Sequence, residues 1–258
     1  MKKRLDLILF EKGYFDSKNS AQVNILAGNV KINDVVVSKA GELYDETKLF
    51  NPENPAKLEI KTIPYVSRGG LKLKGAIDEF KINLKDKICI DIGASTGGFT
   101  DCMLQEGAKK VYAVDVGYGQ IAWKLRSDTR VQVLEKINVK NCTFEEIFGT
   151  DRLEESNMPE FLSMDLSFIS IKKVLQNVIN FTSKNVEMVL LIKPQFEAER
   201  NEIQKGGVVK DLKVHNKIIE DIKEFAKNLS LETIGVIKSP IQGAKQGNTE
   251  YLIYLRRA

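Results

Sequence analysis

The feature that most constrains this chain is an apolar strand that ends in a carboxylate and breaks into a glycine-rich turn. The run Ile88-Cys89-Ile90 leads directly into Asp91-Ile-Gly-Ala-Ser-Thr-Gly-Gly-Phe99, and a helix is predicted to begin at about Gly98. Such a strand–turn–helix unit is how α/β folds hold an adenosine-bearing cofactor. Because the turn has no Lys-Ser/Thr phosphate signature, it argues against ATP and for a nucleoside cofactor without a triphosphate.

Strand-like and helix-like stretches alternate after Pro64, and this alternation predicts βαβ units in a mostly parallel sheet. The last two strands are joined by a Gly/Pro-rich loop that is too short for a crossover, so we expect them to be antiparallel. The predicted fold is therefore a Rossmann-like α/β domain with a seven-stranded sheet whose last strand is antiparallel. The predicted strands are 88–92, 111–116, 131–134, 161–166, 188–192, 232–237 and 251–255, and the predicted helices are 70–80, 98–106, 120–125, 171–181 and 213–228.

The first 60 residues have a different character. Two short helices (4–10 and 17–26) precede a tight hairpin (30–37) that turns at Asn33-Asp34, and residues 58–60 add a strand. We therefore predict a small α+β domain at 1–60, a linker at 61–66 and the α/β domain at 67–258.

The second strand of the α/β domain ends at Asp115, where a carboxylate can accept hydrogen bonds from both ribose hydroxyls. Ser95 stands where NAD sites use a glycine to approach the pyrophosphate, which S-adenosylmethionine lacks. The predicted cofactor is therefore S-adenosylmethionine, and the alternative is an ordinary tight turn beside a solvated aspartate. The residues predicted to bind the cofactor are Asp91, Gly93, Ala94, Ser95, Thr96, Gly97, Gly98, Phe99, Asp115, Val116, Asn138 and Asp165.

Two further charged residues end neighbouring strands. Asp165 follows Met164, and Lys193 follows three apolar residues. Since open α/β sheets bind ligands at the carboxyl ends of their strands, we expect both beside the cofactor. The alternatives are a surface lysine with a buried stem and an aspartate that caps the next helix. Lys72 and Glu250, taken alone, are ordinary surface charges.

Six motifs resemble, in order, those of the TlyA family of ribosomal RNA 2′-O-methyltransferases. They are Asp91–Phe99, Asp115-Val-Gly-Tyr-Gly-Gln120, Asp165-Leu-Ser-Phe-Ile-Ser170, Lys193-Pro-Gln-Phe196, Gly206-Gly-Val-Val209 and Asn248-Thr-Glu-Tyr251. The resemblance implies an S4 RNA-binding domain at 1–60 and an FtsJ-like methyltransferase domain after it. It also implies S-adenosylmethionine-dependent 2′-O-methylation of a cytidine, in ribosomal RNA or assembled ribosomal subunits. The Lys-Asp-Lys-Glu tetrad of the family falls on Lys72, Asp165, Lys193 and Glu250.

The chemistry of the tetrad follows from the weakness of a ribose 2′-hydroxyl as a nucleophile. Its proton must leave as the oxygen attacks the methyl group, and a lysine acts as a base only where burial or a second ammonium lowers its pKa from about 10.4. We assign Lys193 as the base or the hydroxyl-orienting group and Asp165 as its partner. Lys72 and Glu250 are assigned as positioning groups.

The RNA contacts are predicted to come from local basic patches, because the net charge is only +4. Phosphate contacts of this kind fix the position of an RNA without reading its sequence. The predicted RNA-binding residues are Lys2, Lys3, Arg4, Lys18, Lys31 and Arg68.

The remaining composition favours a cytoplasmic protein without membrane or metal partners. No stretch approaches the roughly 18 apolar residues of a membrane span, and the charged N-terminus does not read as a signal peptide. The three cysteines are scattered, as expected of free thiols in a reducing compartment. The only histidine, His215, lies in a polar helical stretch and is predicted to be on the surface, which leaves no zinc site.

Three other functions remain open from the sequence. One is a membrane-active haemolysin, a label that this family often carries, although no membrane span supports it. Another is a non-catalytic RNA-binding protein with a degenerate Rossmann domain, which the complete tetrad disfavours. The last is a small-molecule methyltransferase, in which the N-terminal domain would have no role.

Overall fold

The computed structural model describes residues 2–15, 17–61, 63–149, 154–241 and 248–257. The chain divides into two compact units, Met1–Pro64 and Tyr65–Ala258. The division falls inside the stretch predicted as a linker. Most of the predicted loop between the last two strands, residues 242–247, lies outside the described residues.

The helices and strands of the described residues are numbered in chain order. The first unit contains β1 (Lys2–Arg4), α1 (Leu5–Glu11), α2 (Lys18–Leu26), β2 (Val30–Ile32), β3 (Val35–Val36), β4 (Leu43–Asp45), α3 (Glu46–Leu49) and β5 (Leu58–Ile60). The second unit contains α4 (Gly69–Phe80), β6 (Ile88–Ile92), α5 (Gly98–Gln105), β7 (Lys110–Val114), α6 (Trp123–Arg126), β8 (Val131–Leu134), α7 (Phe144–Phe148), β9 (Phe161–Met164), α8 (Lys172–Val178), β10 (Glu187–Ile192), α9 (Pro194–Glu197), α10 (Leu212–Asn228), β11 (Leu231–Lys238) and β12 (Tyr251–Arg257).

The first unit has a core of its own, in which Leu5, Ile8 and Ile25 of its helices are fully buried with Val30 of β2. The strands β3, β2 and β5 form an antiparallel sheet in that order. The hairpin turns at Asn33-Asp34, where both residues have positive φ, because a two-residue turn that suits twisted strands requires it. The pairing of β1 with β4 was not predicted, since each strand is only three residues long.

The second unit is built on a sheet with the order β11-β12-β10-β9-β6-β7-β8 among the described residues. The strands β8, β7, β6, β9 and β10 pair in parallel, and β12 is antiparallel to both of its neighbours. This confirms the predicted Rossmann-like fold with an antiparallel last strand.

Helices cover both faces of the sheet, and β6 shows why its sequence is apolar throughout. Ile88, Ile90 and Ile92 belong to the core that contains α8 and α10, whereas Cys89 belongs to the core that contains α4 and α5. Successive side chains of a strand point to opposite faces, so a strand covered on both sides reads as a continuous apolar run. The carboxyl ends of β6, β7, β9 and β10 therefore meet at one edge of a buried sheet.

Two predicted strands are shorter in the structure. β7 ends at Val114 and β9 ends at Met164, so Asp115 and Asp165 both lie in the loops that follow. The predicted helix 120–125 is reduced to α6, because the preceding residues wrap against the glycine turn, where the N–H of Ala122 donates to the carbonyl of Thr96.

The prediction for His215 is wrong. Its side chain is only 3% exposed, because it lies on the buried face of α10. One ring nitrogen is 2.8 Å from the carbonyl oxygen of Val209 and the other is 2.9 Å from the hydroxyl of Tyr251. The polar residues around His215 did not reveal this buried face, because one of its two partners, Tyr251, is 36 residues away in the sequence.

Candidate active site

The glycine turn after β6 is closely packed against the end of β9. Gly93 and Gly97 have φ values of 81° and 96°, a region that glycine adopts without steric cost. A Cβ atom at Gly93 would lie 2.5 Å from the carbonyl oxygen of Asp165, and one at Gly97 would lie 2.2 Å from Leu125. The two glycines therefore allow the turn to bend and hold the Asp165 backbone directly beside it.

Asp91 lies beneath this turn and is fully buried. Its two carboxylate oxygens accept hydrogen bonds from the hydroxyls of Thr100, at 2.6 Å, and Ser163, at 2.8 Å. Burial raises the pKa of Asp91 to about 6, although these two hydrogen bonds oppose the rise. The carboxylate thus ties β6, α5 and β9 together below the predicted cofactor site.

Asp115 holds the loop that follows β7. One carboxylate oxygen accepts the N–H of Ser95 and the other accepts the N–H of Gly117, both at 2.7 Å. A carboxylate can accept about four hydrogen bonds, so each oxygen retains capacity for a ribose hydroxyl. The next residue, Val116, is 71% exposed and presents an apolar surface at the same place.

The four residues of the predicted tetrad come together at the carboxyl edge of the sheet. The Nζ atom of Lys72, on α4, donates to a carboxylate oxygen of Glu250 at 2.6 Å. The Nζ atom of Lys193 lies 2.6 Å from Oδ1 of Asp165, and that of Lys72 lies 3.9 Å from Oδ2. One carboxylate therefore stands between two ammonium groups.

Burial distinguishes the two carboxylates of the tetrad but not its two lysines. The side chain of Glu250 is 3% exposed and that of Asp165 is 21% exposed, whereas Lys72 and Lys193 are nearly alike, at 10% and 12%. The contact of Lys193 with Asp165 is an ion pair without hydrogen-bond alignment, and its aligned donation goes to the hydroxyl of Ser167 at 3.0 Å. Asp165 is thus the most exposed member, and Glu250 is the most buried one.

Asn138 is exposed in the loop after β8. Its side-chain oxygen accepts the N–H of Lys140 at 3.2 Å, which stabilises a local turn. Its assignment to the cofactor stays a prediction.

The predicted RNA-binding residues of the first unit differ in their surroundings. Lys3 is paired with Glu11, Arg4 makes an ion pair of 2.7 Å with the buried Asp6, and Lys31 lies 3.9 Å from Glu59. Lys2 and Lys18 are exposed.

Arg68 is exposed at the residue that precedes α4. It belongs to the second unit and not to the first, so the six predicted RNA contacts are spread over both units.

Three supporting residues were not predicted from the sequence. Thr100 and Ser163 bind Asp91, and Glu135 accepts hydrogen bonds from the N–H of Gly119 at 2.8 Å and from Arg126 at 2.6 Å. Burial raises the pKa of Glu135, but these hydrogen bonds outweigh it and leave the pKa below its ordinary value. Only Glu135 carried a signal, as a carboxylate directly after a strand.

The chain matches two families of known proteins. Residues 65–257 match the FtsJ-like methyltransferase family, and residues 3–47 match the S4 domain. The 16S/23S rRNA (cytidine-2′-O)-methyltransferase TlyA of Mycobacterium tuberculosis is 37% identical over 98% of this chain and 89% of its own length. Hemolysin A of Brachyspira hyodysenteriae is 42% identical over 97% of this chain and 98% of its own length.

Solved structures agree with these matches. A Streptococcus thermophilus protein with a provisional hemolysin label is 39% identical and superposes with a TM-score of 0.74, covering 100% of this chain and 89% of that chain. A SAM-dependent methyltransferase from Aquifex aeolicus, 14% identical with a TM-score of 0.50 over 75% of this chain and 95% of that chain, shares the fold alone. The predicted resemblance is therefore confirmed, and the chain belongs to the FtsJ-like methyltransferase family, among its TlyA relatives that carry an S4 domain.

Proposed function

We propose that this chain transfers the methyl group of S-adenosylmethionine to the 2′-oxygen of a cytidine in ribosomal RNA. The observation that carries the proposal is the assembly of Lys72, Asp165, Lys193 and Glu250 beside the glycine turn. The TlyA relatives are named as cytidine-2′-O-methyltransferases of ribosomal RNA, which fits this arrangement.

The residues around the glycine turn fit S-adenosylmethionine. Gly93 and Gly97 let the turn bend and pack closely on Asp165 and Leu125, and Asp115 offers carboxylate oxygens to a ribose. The turn itself carries no lysine for a phosphate. When bound, S-adenosylmethionine supplies an electrophilic methyl group on a sulfonium.

The tetrad would act on the RNA hydroxyl. Lys193, which directly follows β10, orients the 2′-hydroxyl as an ammonium or, as a neutral amine, receives its proton. The oxygen forms its bond to the methyl carbon as the carbon–sulfur bond breaks and leaves a neutral thioether. Asp165 holds the Nζ group of Lys193 in place from one side and Ser167 from the other. Lys72 fixes the second oxygen of Asp165, and Glu250 in turn fixes Lys72. Holding the reacting atoms in this orientation raises the rate, because the entropy cost of aligning them has already been met before the reaction.

We assign residues 1–60 to RNA docking and residues 61–66 to the linker. In the first unit, Lys2 and Lys18 are exposed and suit phosphate contacts better than Lys3 and Arg4, whose charges are already paired. Arg68 would contact the RNA next to the catalytic domain. Such contacts require RNA in the same compartment, so we place the protein in the cytoplasm.

The test is methylation of purified ribosomal subunits with labelled S-adenosylmethionine, followed by mapping of the modified ribose. Lys193→Ala should lower the turnover number by about 10²- to 10⁴-fold, the usual contribution of acid–base help. Its affinity for S-adenosylmethionine, measured by calorimetry, should stay within about twofold, because Lys193 is assigned to the RNA hydroxyl and not to the cofactor. Lys184→Ala, on the loop before β10, is the matched control and should behave as the wild type. Methylation by Lys193→Ala at the wild-type rate would overturn the catalytic assignment.

The hemolysin labels of some relatives call for a separate assay. In the described parts of this chain, no helix combines the length and apolar character needed to cross a membrane. Lysis of erythrocytes by purified wild-type protein and equally by Lys193→Ala would support a lytic activity that does not depend on methyl transfer.

A further inference from the structure

A cavity opens near the tetrad, and none of its lining residues is among those predicted to bind the cofactor. Its volume is roughly 500 Å³, within the range of about 300–1,000 Å³ that is usual for ligand sites. The loop after β9 provides Phe168 and Ser170, α8 provides Lys173, α9 provides Gln195 and Phe196, and the loop after β8 provides Lys140. Its lining thus combines two cations with two aromatic rings.

The cavity adjoins the reacting groups. Phe168 follows Asp165 by three residues, and the ring of Phe196 lies 6.0 Å from the Nζ atom of Lys193. The two rings are 5.1 Å apart and form one apolar wall. Whatever occupies the cavity therefore lies next to the hydroxyl that Lys193 would orient.

The backbone at this wall is held in an unfavourable conformation. Phe168 has a φ of 66°, which is rare for a bulky residue, and its side chain is 88% exposed. Burial of the ring does not compensate for this strain. Strained residues of this kind cluster at ligand sites, where the surrounding structure maintains them.

The two lysines carry the positive charge of the cavity. Lys140 and Lys173 are both exposed, and within the described ranges neither forms an ion pair. Glu197, a carboxylate on the neighbouring α9, accepts the hydroxyl of Ser170 at 2.6 Å and the N–H of Ile171 at 2.7 Å. Burial raises the pKa of Glu197, and Lys172 and Lys173 oppose that rise. The cavity thus keeps a net attraction for anions.

Gln195 adds a hydrogen-bond acceptor. Its side-chain oxygen is buried and has no donor among the residues that the structure describes. Buried polar atoms are normally paired, so an unpaired oxygen in a cavity wall suits a ligand that brings an N–H or O–H group.

We propose that this cavity binds the nucleotide that neighbours the target cytidine, with its phosphate on Lys140 and Lys173 and its apolar faces against Phe168 and Phe196. The inference rests on the proposed function and specifies how the RNA strand is held at the site. Single-stranded nucleic acid is bound by this combination of cationic groups and aromatic surfaces.

The test compares Lys140→Ala/Lys173→Ala with the wild type. The probe is a fluorescein-labelled single-stranded oligocytidylate, whose affinity is measured by anisotropy between about 50 and about 200 mM salt. The two lysines hold one phosphate, and each phosphate held on a single strand contributes about 0.7 to the slope of log affinity against log salt, so the slope should fall by about 0.7. With the two affinities converging at about 1 M salt, this loss corresponds to roughly 5-fold weaker binding at about 0.1 M salt. In the methylation assay, KM for ribosomal subunits should rise while kcat is retained.

The matched control is Lys223→Ala/Lys227→Ala, which removes two charges from the part of α10 that leads to the opposite edge of the sheet. It should keep the wild-type slope. An unchanged slope in Lys140→Ala/Lys173→Ala would overturn the proposal. So would weakened binding of S-adenosylmethionine in calorimetry, because the cavity would then belong to the cofactor. If wild-type protein binds the oligonucleotide through these lysines but methylates no RNA, the proposed function fails and the nucleotide site stands.

Discussion

Asp91, Asp115 and Asp165 lie at the same edge of one sheet, yet each carboxylate has a different task. Asp91 is fully buried and binds two hydroxyls, Asp115 binds two backbone N–H groups, and Asp165 stands between two ammonium groups. The partners decide the chemistry, because a carboxylate that faces hydroxyls organises the fold, whereas one that faces lysines can hold them against a substrate.

Replacement of Asp91 by Asn should change how stability depends on pH. Burial raises the pKa of Asp91 to about 6 in the folded chain, so the folded state holds this proton more tightly than the unfolded state does. Between about pH 4 and pH 6 its contribution to the free energy of unfolding should therefore fall as the pH rises, by about 2–3 kcal/mol in total. Asn has no proton to lose, so this fall should be absent from Asp91→Asn.

Urea unfolding of the wild type and of Asp91→Asn at about pH 4.5 and about pH 7 measures the effect. The change in the free energy of unfolding between the two pH values is compared between the two proteins, so that the contributions of the other titrating groups cancel. Thr100→Val is a useful companion, since it removes one hydrogen bond but keeps the ionisable group. The same pH slope in wild type and Asp91→Asn would show that another residue takes up the proton.

Gly93→Ala tests the glycine turn. The new Cβ atom would meet the carbonyl oxygen of Asp165 at 2.5 Å, and alanine would occupy a φ of 81°. We expect a loss of about 2–4 kcal/mol in the free energy of unfolding, from backbone strain and from displacement of the Asp165 loop. Affinity for S-adenosylmethionine should fall in parallel.

Gly107→Ala separates the two causes. Gly107, shortly after α5, has a similar φ of 91°, but a Cβ atom there would come no closer than 3.4 Å to another atom, which is an ordinary contact. This variant should lose only the cost of strain, about 1 kcal/mol, and should bind the cofactor as the wild type does. Equal losses in both variants would mean that the close approach to Asp165 is unimportant.

At the scale of elements, a side chain of α10 links two parts of the second unit by hydrogen bonds: the segment around Val209 and the start of β12. The ring of His215 lies between the carbonyl of Val209 and the hydroxyl of Tyr251, which directly follows Glu250. Asn248 adds a second connection, because its side chain donates to the carbonyl of Gly207 and accepts the N–H of Val209. The position of Glu250 therefore depends on a helix that contributes no member of the tetrad.

His215→Leu should loosen this connection. It leaves the buried carbonyl of Val209 without a donor, which costs about 1–3 kcal/mol, measured by urea unfolding. Because Tyr251 would lose its partner as well, kcat should fall several-fold with little change in the affinity for S-adenosylmethionine. His215→Gln, which retains a donor, should recover part of both losses, and Asn216→Leu on the exposed side of α10 should change neither. Normal kcat in a destabilised His215→Leu would restrict His215 to stability.

The elements of the second unit show what local sequence can reveal. The bounds of β6 and β8 were predicted to the residue, because buried strands with short turns are signalled by their own composition. α7 was missed, although Thr143 and Glu146 have the spacing of a capping box and do cap it. The two extra residues predicted at the end of β7 are not part of the strand, for another reason. Asp115 accepts the N–H of Gly117 and so bends the chain after Val114. The residue that anchors this loop, Glu135, follows a different strand and accepts the N–H of Gly119.

Only half of the tetrad could likewise be placed from local sequence. Asp165 and Lys193 could be placed from their strands, since parallel strands bring their carboxyl ends together. Lys72 and Glu250 could not, because α4 and β12 meet only in the folded chain and 178 residues separate the two side chains. Only the resemblance to a family pointed to them.

For the whole molecule, the main consequence is that each unit has its own core. Leu5, Ile8 and Ile25 are buried within Met1–Pro64, and the two larger clusters are buried within Tyr65–Ala258. Units with separate cores can fold separately. RNA docking and methyl transfer can therefore be measured one at a time.

A chain that begins at Tyr65 provides this measurement. All residues of the glycine turn and the tetrad remain in it, so calorimetry should give an affinity for S-adenosylmethionine within about threefold of the full chain. It lacks the first unit and its lysines, so KM for ribosomal subunits should rise by tenfold or more, and the rise should shrink at high salt, where phosphate contacts contribute less. An unchanged KM would remove the first unit from RNA docking. A chain that folds, as judged by urea unfolding, but no longer binds S-adenosylmethionine would instead show that the cofactor site depends on residues before Tyr65.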